Sequence, residues 1–169
     1  MANQTQRPDT ALHNTSHLMQ YHDLIESIVA AMDARDAYTA KHSDRVADMV
    51  LVLANALDLS EDETTLLHMA AHLHDIGKIA VPDSVLRKAG PLTSPEWEEM
   101  RRHPVTGYEI LRKVDDFKEI AVLVRHHHER WDGRGYPDGL RGADIPLGSR
   151  ILAVADSIDA MMSSRSYRP

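Results

Sequence analysis

Histidine and aspartate dominate the chemistry available to this sequence, with 11 His among 169 residues. The sharpest local signal is His74-Asp75, followed by Gly77 and Lys78. Neighbouring side chains on a helix point about 100° apart. The pair can therefore converge on one ion only where a helix ends, or where Asp75 bridges two ions. Gly77 permits a close approach at that point. His42, His103, His127, His128 and Asp156 are further candidates on other predicted helices or helix ends. Bundle interiors collect metal ligands from several helices in this way. An imidazole and carboxylate set suits Fe, Mn, Zn, Co or Ni rather than soft thiophilic ions. A carboxylate between two ions could hold a hydroxide nucleophile, the arrangement that attacks a phosphoryl group.

Other residues weigh differently. Asp156 follows the apolar run Ile151-Leu152-Ala153-Val154-Ala155, where a lone carboxylate costs several kcal/mol unless paired or metal-bound. Lys78 lies about one turn past His74 and could serve a helix end. It suits a cation beside a phosphate or a proton donor to a leaving oxygen better. His126-His127-His128 falls in a predicted amphipathic helix, with the two later members facing inward. His68 and His72 share a helix face, as a zinc pair would, but lack a visible third ligand and a nearby Glu. His13, His17 and His22 read as ordinary surface histidines. Arg165 and Arg168 stand just past the last predicted helix.

The elements that must position these groups are helical. Leu24, Ile25, Ile28, Val29 and Met32 recur at helical spacing over about 17–34. Ser43 and Asp44 could cap a second helix carrying Val46, Met49, Val50, Leu53 and Leu57. Ser60-Glu61-Asp62-Glu63 opens a third helix running to about Asp75, with Gly77 as its terminator. Ser94 caps a fourth helix with Pro95 in its first turn, and Pro104 forces a break after His103. Helices over about 105–114 and 116–129 follow, then a turn region through Gly133, Gly135, Pro137 and Gly139. Pro146 opens a last helix over about 147–163. Without period-two alternation, the fold class is all-α, a helical bundle.

Composition narrows the field. Hydrophobic residues make up 43% and charged residues 27%, near the globular averages, which disfavours a disordered or fibrous chain. The absence of cysteine removes disulfides, thiolate metal sites and a cysteine nucleophile, and suits a reducing cytoplasm. A formal net charge of -7 disfavours DNA coating. The chain has no apolar run long enough for a membrane span. Residues 1–16 read as a polar tail or linker remnant, and 17–169 as the domain.

His74-Asp75-Ile76-Gly77-Lys78-Ile79, Gly135-Tyr136-Pro137 and Ala153-Val154-Ala155-Asp156 form an ordered set. So do the flanks Tyr38-Thr39-Ala40-Lys41-His42-Ser43 and His127-His128-Glu129-Arg130-Trp131-Asp132-Gly133. From about residue 20 onward the chain resembles the HD-GYP family of metal-dependent phosphohydrolases. The resemblance implies an HD-domain bundle with two or three metals in its core. It also implies hydrolysis of cyclic di-GMP to the linear dinucleotide, which some relatives cleave on to GMP. It carries His42, His74, Asp75, His103, His127, His128 and Asp156 over as metal ligands, with Asp75 bridging and Lys78 beside the scissile phosphate. Tyr136, Arg165 and Arg168 would hold the substrate, and Asp36 would support a ligand from behind.

Two departures qualify this. Tyr38 stands where three-metal relatives carry Glu, which favours two ions, Fe or Mn, with Zn, Ni and Co compatible. Similar domains continue past an Arg-Pro-Tyr-Arg-like segment, whereas this chain ends at Ser164-Arg165-Ser166-Tyr167-Arg168-Pro169. A missing helix would leave an apolar face open and favour a homodimer. Two rival readings keep other chemistry in play. One is an HD phosphohydrolase acting on another nucleotide. The other is a regulatory module that binds cyclic di-GMP, or a diguanylate cyclase, without turnover. The polar tail also suits a linker to a sensor or receiver domain.

Overall fold

The computed structural model describes residues 21–35 and 41–163. Eight α-helices lie among them: α1 (His22–Arg35), α2 (His42–Ala56), α3 (Glu61–Leu73), α4 (Asp83–Leu86), α5 (Ser94–Met100), α6 (His103–Leu111), α7 (Lys118–Arg125) and α8 (Leu147–Met162). Short 3-10 turns span Ile76–Ala80, Asp115–Phe117 and Gly142–Asp144. No strand occurs among the described residues, so the all-α expectation holds.

The core is aliphatic, built from Val46, Val50, Leu67, Met69, Leu73, Ile120, Val124 and Leu152, all fully buried. α3 lies at its centre, packed by α1, α2, α7 and α8. A smaller cluster of Val81, Val85 and Leu86, with Leu92 and Met100, fills the space under α4 and α5.

Helix boundaries depart from the sequence reading in instructive places. α2 begins at His42, ahead of Ser43 and Asp44, because Lys41 takes a left-handed conformation (φ 60°) and donates its N–H to Asp33. Ser43 is then free to be buried, while Leu57 lies beyond the helix and is exposed. The Ser60–Glu63 capping box is present as expected. The cap of α5 is Thr93 rather than Ser94, since the Glu96 carboxylate accepts from the Thr93 N–H at 2.7 Å. Pro104 does not follow the break but sits in the first turn of α6, where its missing N–H costs nothing. α7 stops at Arg125, so His126, His127 and His128 lie in the turn beyond it.

Gly77 does not terminate α3. That helix ends at Leu73, and Gly77 lies inside the following 3-10 turn. A Cβ on Gly77 would stand 1.9 Å from the His103 carbonyl oxygen and 2.6 Å from the Gly107 nitrogen. Only glycine lets this turn press against α6, which brings Asp75 and His103 together.

Candidate metal centre

Three histidines share one local device. His74, His103 and His127 each place Nδ1 on the backbone carbonyl three residues earlier, at Ala71 (2.7 Å), Met100 (2.8 Å) and Val124 (2.6 Å). A carbonyl only accepts, so each Nδ1 carries the proton and each Nε2 presents a lone pair. His42 reaches the same state through a carboxylate, with Nδ1 2.7 Å from Asp159 Oδ2. Helix ends make this possible: His103 starts α6, His42 starts α2, and His74 and His127 follow the last turns of α3 and α7.

The Nε2 atoms converge around Asp75. Its Oδ2 lies 3.5 Å from His74 Nε2 and 3.9 Å from His42 Nε2. Its Oδ1 lies 3.4 Å from His103 Nε2. One oxygen therefore faces the group His42, His74 and Asp75, and the other faces the group His103, His127 and His128; each group's ligand atoms lie within 4.8 Å of one another. Asp156 Oδ1 joins the first group at 3.3 Å from His42 Nε2.

The donor set fits divalent cations. His74 Nε2 is buried with no hydrogen-bond partner, and a buried orphan lone pair is costly. His103 Nε2 and His127 Nε2 face each other at 3.4 Å, and neither neutral ring has a proton left for the other. A cation held by these nitrogens would resolve both conflicts.

Electrostatics keep most of the candidate ligands in metal-binding form, with His42 the exception. Burial, with Lys78 and His74 beside it, pushes His103 down to about 4, and burial, with His103 and His74 beside it, pushes His128 down to about 3, in each case against nearby carboxylates. Burial, with His128 and His74 beside it, holds His127 well below the usual imidazole value. Asp75 resists the upward push of burial because Lys78, His74, His103 and His42 hold its carboxyl well below the usual range. Burial lowers His42 too, but Asp156, Asp75 and Asp159 outweigh it and raise its pKa.

Of the remaining predicted groups, Lys78 and Tyr136 lie beside this centre. Lys78 Nζ stands 2.5 Å from Asp75 Oδ2. The Tyr136 ring lies 4.8 Å from the His128 ring, with the Arg101 guanidinium 5.5 Å from its own centroid. Burial, with Asp75 nearby, raises the Tyr136 pKa, so the phenol stays protonated. The loop that carries it is fixed from below: buried Glu129 Oε1 accepts from the Asp138 and Gly139 N–H groups at 2.7 and 2.9 Å. Gly135 is required there, because a Cβ would stand 2.3 Å from the Arg130 nitrogen. The Tyr136–Pro137 peptide bond is cis. His126 turns away and pairs with Asp138, as the inward-facing assignment of His127 and His128 requires. Asp36, Tyr38, Arg165 and Arg168 lie outside the described residues.

Sequence reasoning missed three positioning groups. Asp159 holds His42 and is itself clasped by Arg45 Nε at 2.6 Å. Its place one turn after Asp156, in the same apolar helix, carried the signal. Glu129 beneath the loop was read only as part of a motif. Arg35 donates to the carbonyls of Lys78, Ile79 and Val81 and to Asp83, and no local pattern marks it.

Comparison with known proteins agrees with this geometry. A family model described as "HD domain" matches residues 22–169. The chain belongs to the HD domain family. Among its relatives is the cyclic di-GMP phosphodiesterase response regulator RpfG of Xanthomonas campestris, 46% identical over 86% of this chain and 39% of the relative. The 3'3'-cGAMP-specific phosphodiesterase 2 of Vibrio cholerae is 43% identical over 86% of this chain and 28% of the relative. The chain thus spans well under half the length of these relatives. A solved HD-GYP-type structure, Bd1817 of Bdellovibrio bacteriovorus, shares the fold with a TM-score of 0.65 at 20% identity, over 92% of this chain and 58% of its own. The HD-GYP resemblance expected from the motifs is thereby borne out.

Proposed function

We propose that this HD domain is a metal-dependent phosphodiesterase that hydrolyses cyclic di-GMP to the linear dinucleotide and onward to GMP. The carrying observation is Asp75, whose two oxygens face two separate histidine groups. Two ions fit this reading. His42, His74 and Asp156 would hold one, His103, His127 and His128 the other, and Asp75 would bridge. Fe or Mn suits the nitrogen and oxygen donors. Such ions supply Lewis acidity to a phosphoryl oxygen and acidify water.

The chain's own residues do the rest. The backbone carbonyls behind His74, His103 and His127 keep the Nε2 lone pairs aimed inward. Lys78 offers a cation to the phosphate and a proton to the departing 3′ oxygen. The protonated Tyr136 donates a hydrogen bond to the substrate, and Arg165 and Arg168 hold its phosphates, bidentate contacts being good positioning devices.

A related reading is favoured by a specific observation: 3'3'-cGAMP-specific enzymes stand among the relatives at similar identity. Both dinucleotides present the same phosphodiester to the centre. Turnover of each by Mn²⁺- or Fe²⁺-loaded protein, with products resolved by chromatography, tests the proposal. Cleavage of cyclic di-GMP with the higher kcat/KM supports it. Preference for 3'3'-cGAMP moves the assignment, and binding without cleavage of either turns the domain into a ligand sensor.

A further inference from the structure

A second cluster of imidazoles lies outside the centre already described. His68 and His72 are one turn apart on α3, and the structure brings His22 of α1 onto them. The His22 and His68 rings stack with centroids 6.2 Å apart and planes 8° from parallel. His72 meets His22 at 5.9 Å and His68 at 4.7 Å, both edge-on. One nitrogen from each ring lies within 4.8 Å of the others. The sequence reading set the His68–His72 pair aside for want of a third ligand and a nearby Glu, and placed His22 on the surface. Both missing partners are present, because Glu26 Oε1 stands 3.6 Å from His22 Nδ1.

We infer that His22, His68 and His72 form a separate site for a divalent transition-metal ion of the zinc class, which clamps α1 to α3. Three observations converge on it. The set is three neutral-type nitrogen donors with no thiolate, the donor number of an open zinc site. His72 is 8% exposed and its Nδ1 is buried without a hydrogen-bond partner, which packing alone does not explain. Carboxylates surround the rings, with Glu26 Oε1 3.6 Å from His22 Nδ1 and Asp44 Oδ1 3.6 Å from the unpartnered His72 Nδ1, beyond hydrogen-bond reach; their charge favours a cation among the three nitrogens. Tetrahedral zinc places its nitrogen ligands about 3.3 Å apart, within reach of small rotations of these rings.

The location gives the ion a consequence. The far end of α1 is already tied down, since Arg35 grips the stretch from Lys78 to Asp83. An ion at His22 would fasten the near end to α3, the helix that leads into His74. The clamp does not depend on what the domain hydrolyses.

Zinc titration of Mn²⁺-loaded wild type and of the His22→Gln/His68→Gln double variant tests this. Bound metal is measured by elemental analysis and calorimetry, and the thermal midpoint is followed alongside. Displacement of Mn²⁺ at the other centre is common to both proteins and cancels. The wild type should retain about one more zinc per chain, and zinc should raise its midpoint more than the variant's. Losing an outer partner of a ligand already costs about 10–100-fold in affinity, so losing two ligands should abolish this uptake. Equal stoichiometry and equal midpoint shifts would overturn the inference. Loss of Mn²⁺ from the double variant would do so too, by making the cluster part of one centre. If that variant does not fold, His22→Gln alone decides: weakened zinc uptake supports the clamp, and unchanged uptake refutes it.

Discussion

At the scale of single residues, position behind a ligand separates affinity from chemistry. Asp159 holds His42 Nδ1 from behind and is itself gripped by Arg45. Asp159→Ala should weaken metal binding by about 10–100-fold while saturating Mn²⁺ restores most of kcat; metal titration with activity as a second readout checks this. Lys78 should behave in the opposite way. Its Nζ lies beside Asp75 Oδ2, so Lys78→Ala should leave metal content intact and lower kcat. A charged contact of about 1.5–3 kcal/mol corresponds to roughly 10–150-fold. A change confined to KM would remove the role assigned to Lys78. Most of the candidate ligands were legible because they sit in short ordered motifs, whereas His103 was marked only by its place before Pro104. Asp159 was harder to read, because its place one turn after Asp156 gives its helix face but not its partner, which lies 117 residues away.

At the scale of elements, the turn after His74 is held from two sides. Gly77 packs against the His103 carbonyl with no room for a Cβ. Arg35 donates to three carbonyls of the same stretch. Gly77→Ala must push the turn off α6 and separate Asp75 from His103. It should cost on the order of 3 kcal/mol or more in urea unfolding, as strained core contacts do, with metal binding lost in the soluble fraction. Arg35→Lys should not rescue Arg35→Ala, because an ammonium cannot reproduce the planar fork that spans these acceptors. Equal urea midpoints for Arg35→Lys and wild type would show that charge alone suffices. Helix existence was readable from periodicity, whereas several ends were not. α7 stops at Arg125 because the following turn carries His127 to the Val124 carbonyl, a choice set by the site rather than by helix propensity. The α2 start depends on Asp33 in the preceding helix, which no local capping pattern near Ser43 could reveal.

At the scale of the whole molecule, the histidines form part of the core, and this couples folding to pH and to metal. His103, His127 and His128 have folded pKa values below the unfolded value of about 6.5, mainly through burial. Above about pH 6.5 these rings are neutral in both states, and they cause no pH dependence. As pH falls below that, the unfolded chain takes up protons that the folded core refuses, so stability falls. The loss continues toward about pH 4, where His103 begins to charge inside the fold. His42 acts with the opposite sign, since its raised pKa favours the protonated folded form near neutrality. His68 and His72 are lowered by burial as well, so five lowered rings outweigh one raised ring, and the metal-free protein should lose stability steadily from about pH 6.5 to about pH 4. A bound ion adds a second term, because it binds the folded form and competes with protons for the same Nε2 atoms. Metal-loaded protein should therefore unfold at a higher temperature at pH 7.5, and this advantage should vanish on acidification or with a chelator. Thermal unfolding of both forms across this range decides the matter. A metal-free midpoint that is flat between pH 6.5 and pH 4 would mean that these imidazoles are hydrated rather than buried neutral in the core.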